Sequence, residues 1–479
     1  MKQKIKKAVS VFVTLLMLLL LPVQAFAQEY DLANGTVSVT ARNNEQYVSQ
    51  GSIIDEKQTS ETVITGSSNP NTIAIEAEAG QTANVTLKDV NIDCSGIYGA
   101  AALITSGAGN VNIELDGDNM LASGEECAGL NKNNAGSLTI SDIDNNGSLT
   151  ATGGRSGAGI GGGKDGDGSN ITITGGAVTA NGGVAGAGIG GGSYGDGSNI
   201  TITGGTVAAN GGKFGAGIGG GNNGDGNNIT IAGGTVTASG GDYGSGIGGG
   251  DSGDGSNITI TGGTVTASGD LFGAGIGGGY GGDGSDVSVS GYAQVRVQGG
   301  TDVYLNATGA GIGNGGSYDY PNSPIDGAEL EPDVSSLTAP GWIKYYSPGA
   351  DMNTDAPIRV IFGKVEPPYN APAADSAYKI GDKVVLNGNE WIVVGIDGDF
   401  VELASVDAFT EEQLKDLEAL IKTLLTEAQL GKMAADKTTG ECVFLADEGI
   451  AKEYFGGEKG HIVIRANMNI LDVFSDSYY

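Results

Sequence analysis

Five aspartates, Asp167, Asp196, Asp225, Asp254 and Asp283, recur every 29 residues in a Gly-Asp-Gly setting, and three residues after them stand Asn170, Asn199, Asn228, Asn257 and Asp286. If the chain stacks equivalent positions at the ~4.8 Å spacing of neighbouring strands, the carboxylates form a row. Like charges that close repel unless water or cations relieve them. Carboxylate, amide and backbone carbonyl oxygens are the hard ligands Ca²⁺ prefers, so these two columns are the candidate metal ligands and calcium the candidate cofactor. The competing reading is structural: Asp caps a turn and Asn forms an amide ladder, neither of which needs an ion. The spacing does not match the nonapeptide calcium repeat.

A third column is aromatic. Phe214, Tyr243 and Phe272 each lie four residues before a repeated isoleucine. Ring faces at regular spacing can stack on sugar rings, which makes these three the candidate carbohydrate-binding residues. Ser156 and Ala185 fill the same place in earlier copies, and that favours packing of a bend instead. Catalytic residues are harder to find. His461 is the single histidine, with no nucleophile turn nearby, so no triad is indicated. Arg155 and Arg296 sit at opposite ends of the repeats, and Lys164 and Lys213 are solitary turn residues. Near-identical units also supply no unique cleft to position one substrate bond. Zinc-ligand spacing and phosphate-binding glycine loops are absent.

The elements that must position these columns follow from the repeat itself. GAGIGGG recurs with its isoleucine at Ile160, Ile189, Ile218, Ile247 and Ile276, each copy continuing through variants of GDGSNITITGG and TVTASGG. Within a copy the alternation has period two, as in Ile171-Thr172-Ile173 and Val178-Thr179-Ala180, so these are strands with one buried face. Glycine pairs such as Gly175-Gly176 supply the turns. One three-stranded unit cannot bury its inner face alone, so the units must stack. Stacking lines up Ile171, Ile200, Ile229, Ile258 and Val287, then Ile173, Ile202, Ile231, Ile260 and Val289, then Val178, Val207, Val236 and Val265. The fold class is therefore all-β: a right-handed parallel β-helix solenoid of about nine coils, roughly 40 Å long, followed by a small α+β C-terminal module.

Composition sets the limits. The 479 residues include 88 glycines, far above the usual ~7%, but only 11 prolines and no every-third-residue period, which excludes collagen. A net charge of −32 repels phosphate backbones and argues against nucleic acid as partner. Residues 1–27 read as a basic, apolar, then Ala25-Phe26-Ala27 secretory signal peptide, whose removal takes the charge to −36 and leaves no membrane span. Residues 28–316 are then the solenoid with its N-terminal cap, 317–377 a cap and Pro-rich linker, and 378–479 the α+β module, with turns at Asn387-Gly388 and Asp397-Gly398 and a helix opened by a capping box at Thr410–Gln413. Cys94 and Cys127 could bridge neighbouring units and leave Cys442 single, a pairing that sequence does not decide.

The succession NVTLKDVNI, NVNIELDGDNMLASGEECAGL and SLTI…GSLTATGG…GAGIGGG resembles the secreted carbohydrate-binding parallel β-helix proteins of bacterial surfaces, which share the pectate-lyase-like right-handed solenoid, over about residues 30–350. The resemblance implies polysaccharide binding, often with calcium, without catalysis. Residues 378–405 also resemble a small C-terminal module of exported bacterial proteins, which implies no function. The expected function is an exported, cell-surface-associated, non-enzymatic β-solenoid or adhesin that recognises extracellular polysaccharide, an acidic one included. A polysaccharide lyase or hydrolase on the same scaffold, and a structural spacer that binds protein partners, are the alternatives. The oligomeric state is not legible.

Overall fold

A computed structural model describes residues 27–363 apart from 59–60, 302–307, 320–322 and 339, together with strand segments 383–386, 389–397, 400–405, 443–445 and 462–467. The signal segment, Cys442, His461, residues 364–377 of the Pro-rich linker and the helix expected at residue 410 lie outside the described residues.

Each regular coil carries three strands, for example Ile160–Gly161, Gly168–Ile173 and Ala177–Asn181. Every one pairs in parallel with its counterpart 29 residues on: Ile160 with Ile189, Ile171 with Ile200, Val178 with Val207. The short strands build a 12-stranded sheet and the two longer ones a 19-stranded sheet, joined early by the continuous strand Thr82–Asp93. The chain is thus a parallel β-solenoid of about eight turns. Its core is the inside of the tube, where the isoleucine and valine columns are buried to 0–3% exposure. Period-two patterning gives this directly, because alternate side chains point inward and like residues meet like in every coil.

One glycine shows how tightly coils approach. Gly161 has φ +137°, and a Cβ there would lie 2.0 Å from the carbonyl oxygen of Gly190 in the next coil. Only glycine fits that seam, which is why the motif repeats it.

The ends differ from the middle. Strands Val37–Arg42, Glu45–Gln50 and Ile53–Lys57 form an antiparallel meander on the first rung, and Trp342–Tyr346 pairs with Gln294–Gln298 before turning back along Arg359–Phe362. Both devices cover a sheet edge that would otherwise template another chain. The five C-terminal segments make an antiparallel sheet, with Leu386 opposite Asn389 and Asp397 opposite Phe400 across the two expected hairpins. Among the described residues no helix is long and apolar enough to cross a membrane.

Candidate functional site

The aspartate row is a hydrogen-bonded ladder. Oδ1 of Asp167, Asp196, Asp225 and Asp254 each accepts the backbone N–H of the next aspartate, at 3.0, 2.8, 2.8 and 2.8 Å. Asp283 ends the row and accepts from the Asn314 side chain at 2.6 Å. Each carboxylate therefore spends one oxygen on the scaffold and has the other left. Burial, then the neighbouring Asp225 and Asp167 charges, push the Asp196 carboxyl up from its ordinary value. The second column has a backbone role: Asn170, Asn199, Asn228, Asn257 and Asp286 have φ between 51° and 58°, in the left-handed region that Asx tolerates best. Asn199 also donates to Asn170 Oδ1 at 3.2 Å. The row does not bring three carboxylates together around one point.

The aromatic column is a stack. Phe214 and Tyr243 lie 5.3 Å apart and Tyr243 and Phe272 5.4 Å apart, with interplanar angles of 18° and 20°. Tyr280 meets both Tyr243 and Phe272 edge-on, and Tyr318 meets Phe272 in the same way. Phe272 is buried, so its faces are spent on neighbouring rings, and Lys213 lies over the rings of Phe214 and Tyr243. The basic residues weighed for chemistry are likewise engaged. Arg155 faces Glu125 at 3.9 Å, Lys164 pairs with Glu126 at 2.8 Å, Lys213 lies 3.6 Å from Asp242, and Arg296 lies over Trp342.

Sequence reading missed a groove. A concavity of about 490 Å³ opens where the N-terminal cap overhangs the first coils, floored by outward residues of strands Thr82–Asp93, Asn110–Asp116 and Leu138–Ser141. Asn84, Asn112 and Thr139 are in register there, occupying the outward place that Thr172, Thr201 and Thr230 hold in regular coils. Asn112 donates to Asn84 Oδ1 at 2.9 Å, and Gln46 brackets the Asn84 backbone with two bonds, at 2.8 and 2.9 Å. The signal lay in the irregular coils: amides and Glu114 replace threonine only there.

Beside the groove, oxygens of Glu114, Asp142 and Asp144 lie within 4.8 Å of one another, the one such trio among the described residues. Glu114 accepts the Ile143 N–H at 2.6 Å, and Asp142 accepts those of Asn146 and Gly147 at 3.2 and 3.1 Å. Amide donors partly offset the acid charge, and the trio could still share a cation.

Five segments, residues 143–164, 171–193, 200–222, 229–251 and 258–280, match a family model described as a beta helix repeat. No curated protein and no solved structure matches the chain. The matched segments and the coil-on-coil pairing together fit a parallel β-helix protein.

Proposed function

We propose that this protein is an exported, non-catalytic polysaccharide binder or adhesin-type shaft that takes its polymer in the groove under the N-terminal cap. The observation that carries this reading is the lining of that groove: the bond from Asn112 to Asn84 Oδ1 leaves the Asn84 amide hydrogens and Asn112 Oδ1 to meet a ligand, beside the hydroxyl oxygens of Thr86 and Ser141, with Glu61 and Glu114 at its walls. Amides both donate and accept, and so suit vicinal sugar hydroxyls, which also do both. An open polar trough on a rigid sheet suits a long chain better than a small metabolite. Calcium belongs to the proposal as a bridging ion. The spare oxygens of the aspartate row fall short of the six to eight that Ca²⁺ takes, so acidic groups of a polymer or water would complete the set. Nucleic acid is disfavoured by the charge of −32.

A hydrolase reading has one observation in its favour, two carboxylates in one groove. Glu61, however, accepts the Thr86 hydroxyl and Glu114 the Ile143 N–H.

Affinity electrophoresis of the full chain in neutral and acidic polysaccharides, with and without chelator, tests the binder. Retention that Asn112→Leu weakens at least tenfold supports it, and no retained polymer under any condition removes it. Release of new reducing ends or unsaturated products, lost in Glu114→Gln, would replace it with an enzyme.

A further inference from the structure

Lys132 breaks the pattern of the tube. It ends the strand Leu130–Lys132 on the inward side, paired with Thr105 in the coil before. The residue is 6% exposed. The Nζ atom donates to the carbonyl of Asn134 at 2.7 Å, and among the described residues no carboxylate pairs with it. An ammonium has three donors, and a buried one without a counter-charge destabilises the fold. Burial alone pulls it down to about 8.

A pocket of about 260 Å³ lies against this lysine, lined by Asn133, Asn134, Ser169, Asn170 and Asp167. It sits where the irregular coils give way to the 29-residue repeat, so no other coil reproduces it. Its walls carry three kinds of group. Lys132 is a cation without a counter-ion. Asn133 is exposed, and Asn170 uses its Oδ1 on Asn199, which leaves its amide hydrogens to donate. Asp167 uses Oδ1 on Asp196 and has Oδ2 to accept. A bare anion would gain from Lys132 but lose against Asp167, whereas a ligand carrying hydroxyls beside its acid group satisfies both.

We infer that the pocket beside Lys132 binds a hydroxy-carboxylate, either a free hydroxy acid or one acidic unit of a chain, with the acid group on Lys132 and its hydroxyls on Asp167 and the asparagine amides. The site is independent of the groove under the cap. It also supplies the missing counter-charge, so the bound state is the electrostatically complete one.

Titration calorimetry on the full chain with glucuronate, acetate and glucose tests this. Glucuronate should bind, with acetate and glucose each at least tenfold weaker, since each lacks one half of the recognition. Lys132→Met should lose glucuronate at least tenfold. Should that variant not fold, Asp167→Asn provides the second measurement: its amide oxygen still accepts the Asp196 N–H, and the preference for glucuronate over acetate should collapse. A polyuronate that binds while the monomer does not assigns the site to a chain unit. No binding of either, acetate as tight as glucuronate, or full binding by Lys132→Met would overturn the inference. Asn112→Leu, which tests the groove, should leave glucuronate binding unchanged.

Discussion

Asp196 Oδ1 accepts the backbone N–H of Asp225, one coil on, at 2.8 Å, so the row of acids is bound into the scaffold that carries it. Each step of the row thus couples a side chain to the next turn of main chain. An amide oxygen can do the same without charge. Asp196→Asn should therefore leave stability within about 0.5 kcal/mol of the parent or raise it, while Asp196→Ala should cost about 1–2 kcal/mol by leaving an amide without its partner. Urea unfolding checks both. Equal losses in the two variants would mean that the charge matters more than the bond.

Tyr243 is the middle ring of the aromatic stack. Tyr243→Ala removes two stacked contacts and one edge contact, and should cost about 2–3 kcal/mol. Tyr243→Phe should be near neutral. If polysaccharide retention falls in the Ala variant with no change in melting temperature, the rings meet sugar rather than one another.

Backbone conformation sets the cost at two nearby glycine-rich places in opposite directions. Gly219 has φ +136° and would place a Cβ 2.0 Å from the Gly248 carbonyl, so Gly219→Ala should lose more than about 3 kcal/mol. Tyr194 holds φ 66° with an exposed ring, at the position filled by Asn223 and Gly281 in other coils. Tyr194→Asn should gain about 0.5–1 kcal/mol, read as a rise in melting temperature.

Acid should relieve four buried carboxyls. Burial raises the carboxyls of Asp196, Asp251, Asp270 and Glu329 above their ordinary values, with nearby aspartates adding to the effect at Asp196 and Asp270. A raised carboxyl takes its proton sooner folded than unfolded, so stability grows as pH falls toward the folded values and shrinks as it rises past them. These four groups gain stability as pH falls toward the ordinary carboxylate range, against the loss at Glu45, Asp93, Glu126, Glu331 and Asp351, which hydrogen bonds and ion pairs hold below their ordinary values, so Asp251→Asn should flatten the acid-side gain in melting temperature. An acid-side profile unchanged in that variant would contradict these assignments.

Alkali should show Lys132. Its amine is pulled from 10.5 to about 8, so the unfolded chain binds the proton more readily and stability rises between those two values. At ~1.36 kcal/mol per unit the rise to pH 10 should be about 2–3 kcal/mol, before the opposing titrations of the Cys94 and Cys127 thiols and of Tyr30, all of which burial pushes up, Tyr30 to about 12. Lys132→Met should abolish the rise.

Repetition made the solenoid legible: five copies of one pattern leave stacking as the only way to bury five sets of isoleucines. The register pairing Ile171 with Ile200 follows from the 29-residue spacing alone. What chemistry each polar column performs was not legible in the same way. Asp167 could cap a turn or hold an ion on the same spacing, and only the bond to the Asp196 N–H shows where one of its oxygens goes. Asn170 read as a ligand or a ladder, and its left-handed backbone adds a third reason for an Asx residue there.

Period and alternation determined the shaft and its buried columns, because those depend on which residues recur and not on how they differ. The groove under the cap and the pocket beside Lys132 were decided only in three dimensions. Both arise where the repeat is imperfect, from residues as far apart as Gln46 and Ser141 or Lys132 and Asn170, and no local pattern records which side chains a coiled chain will bring to one place.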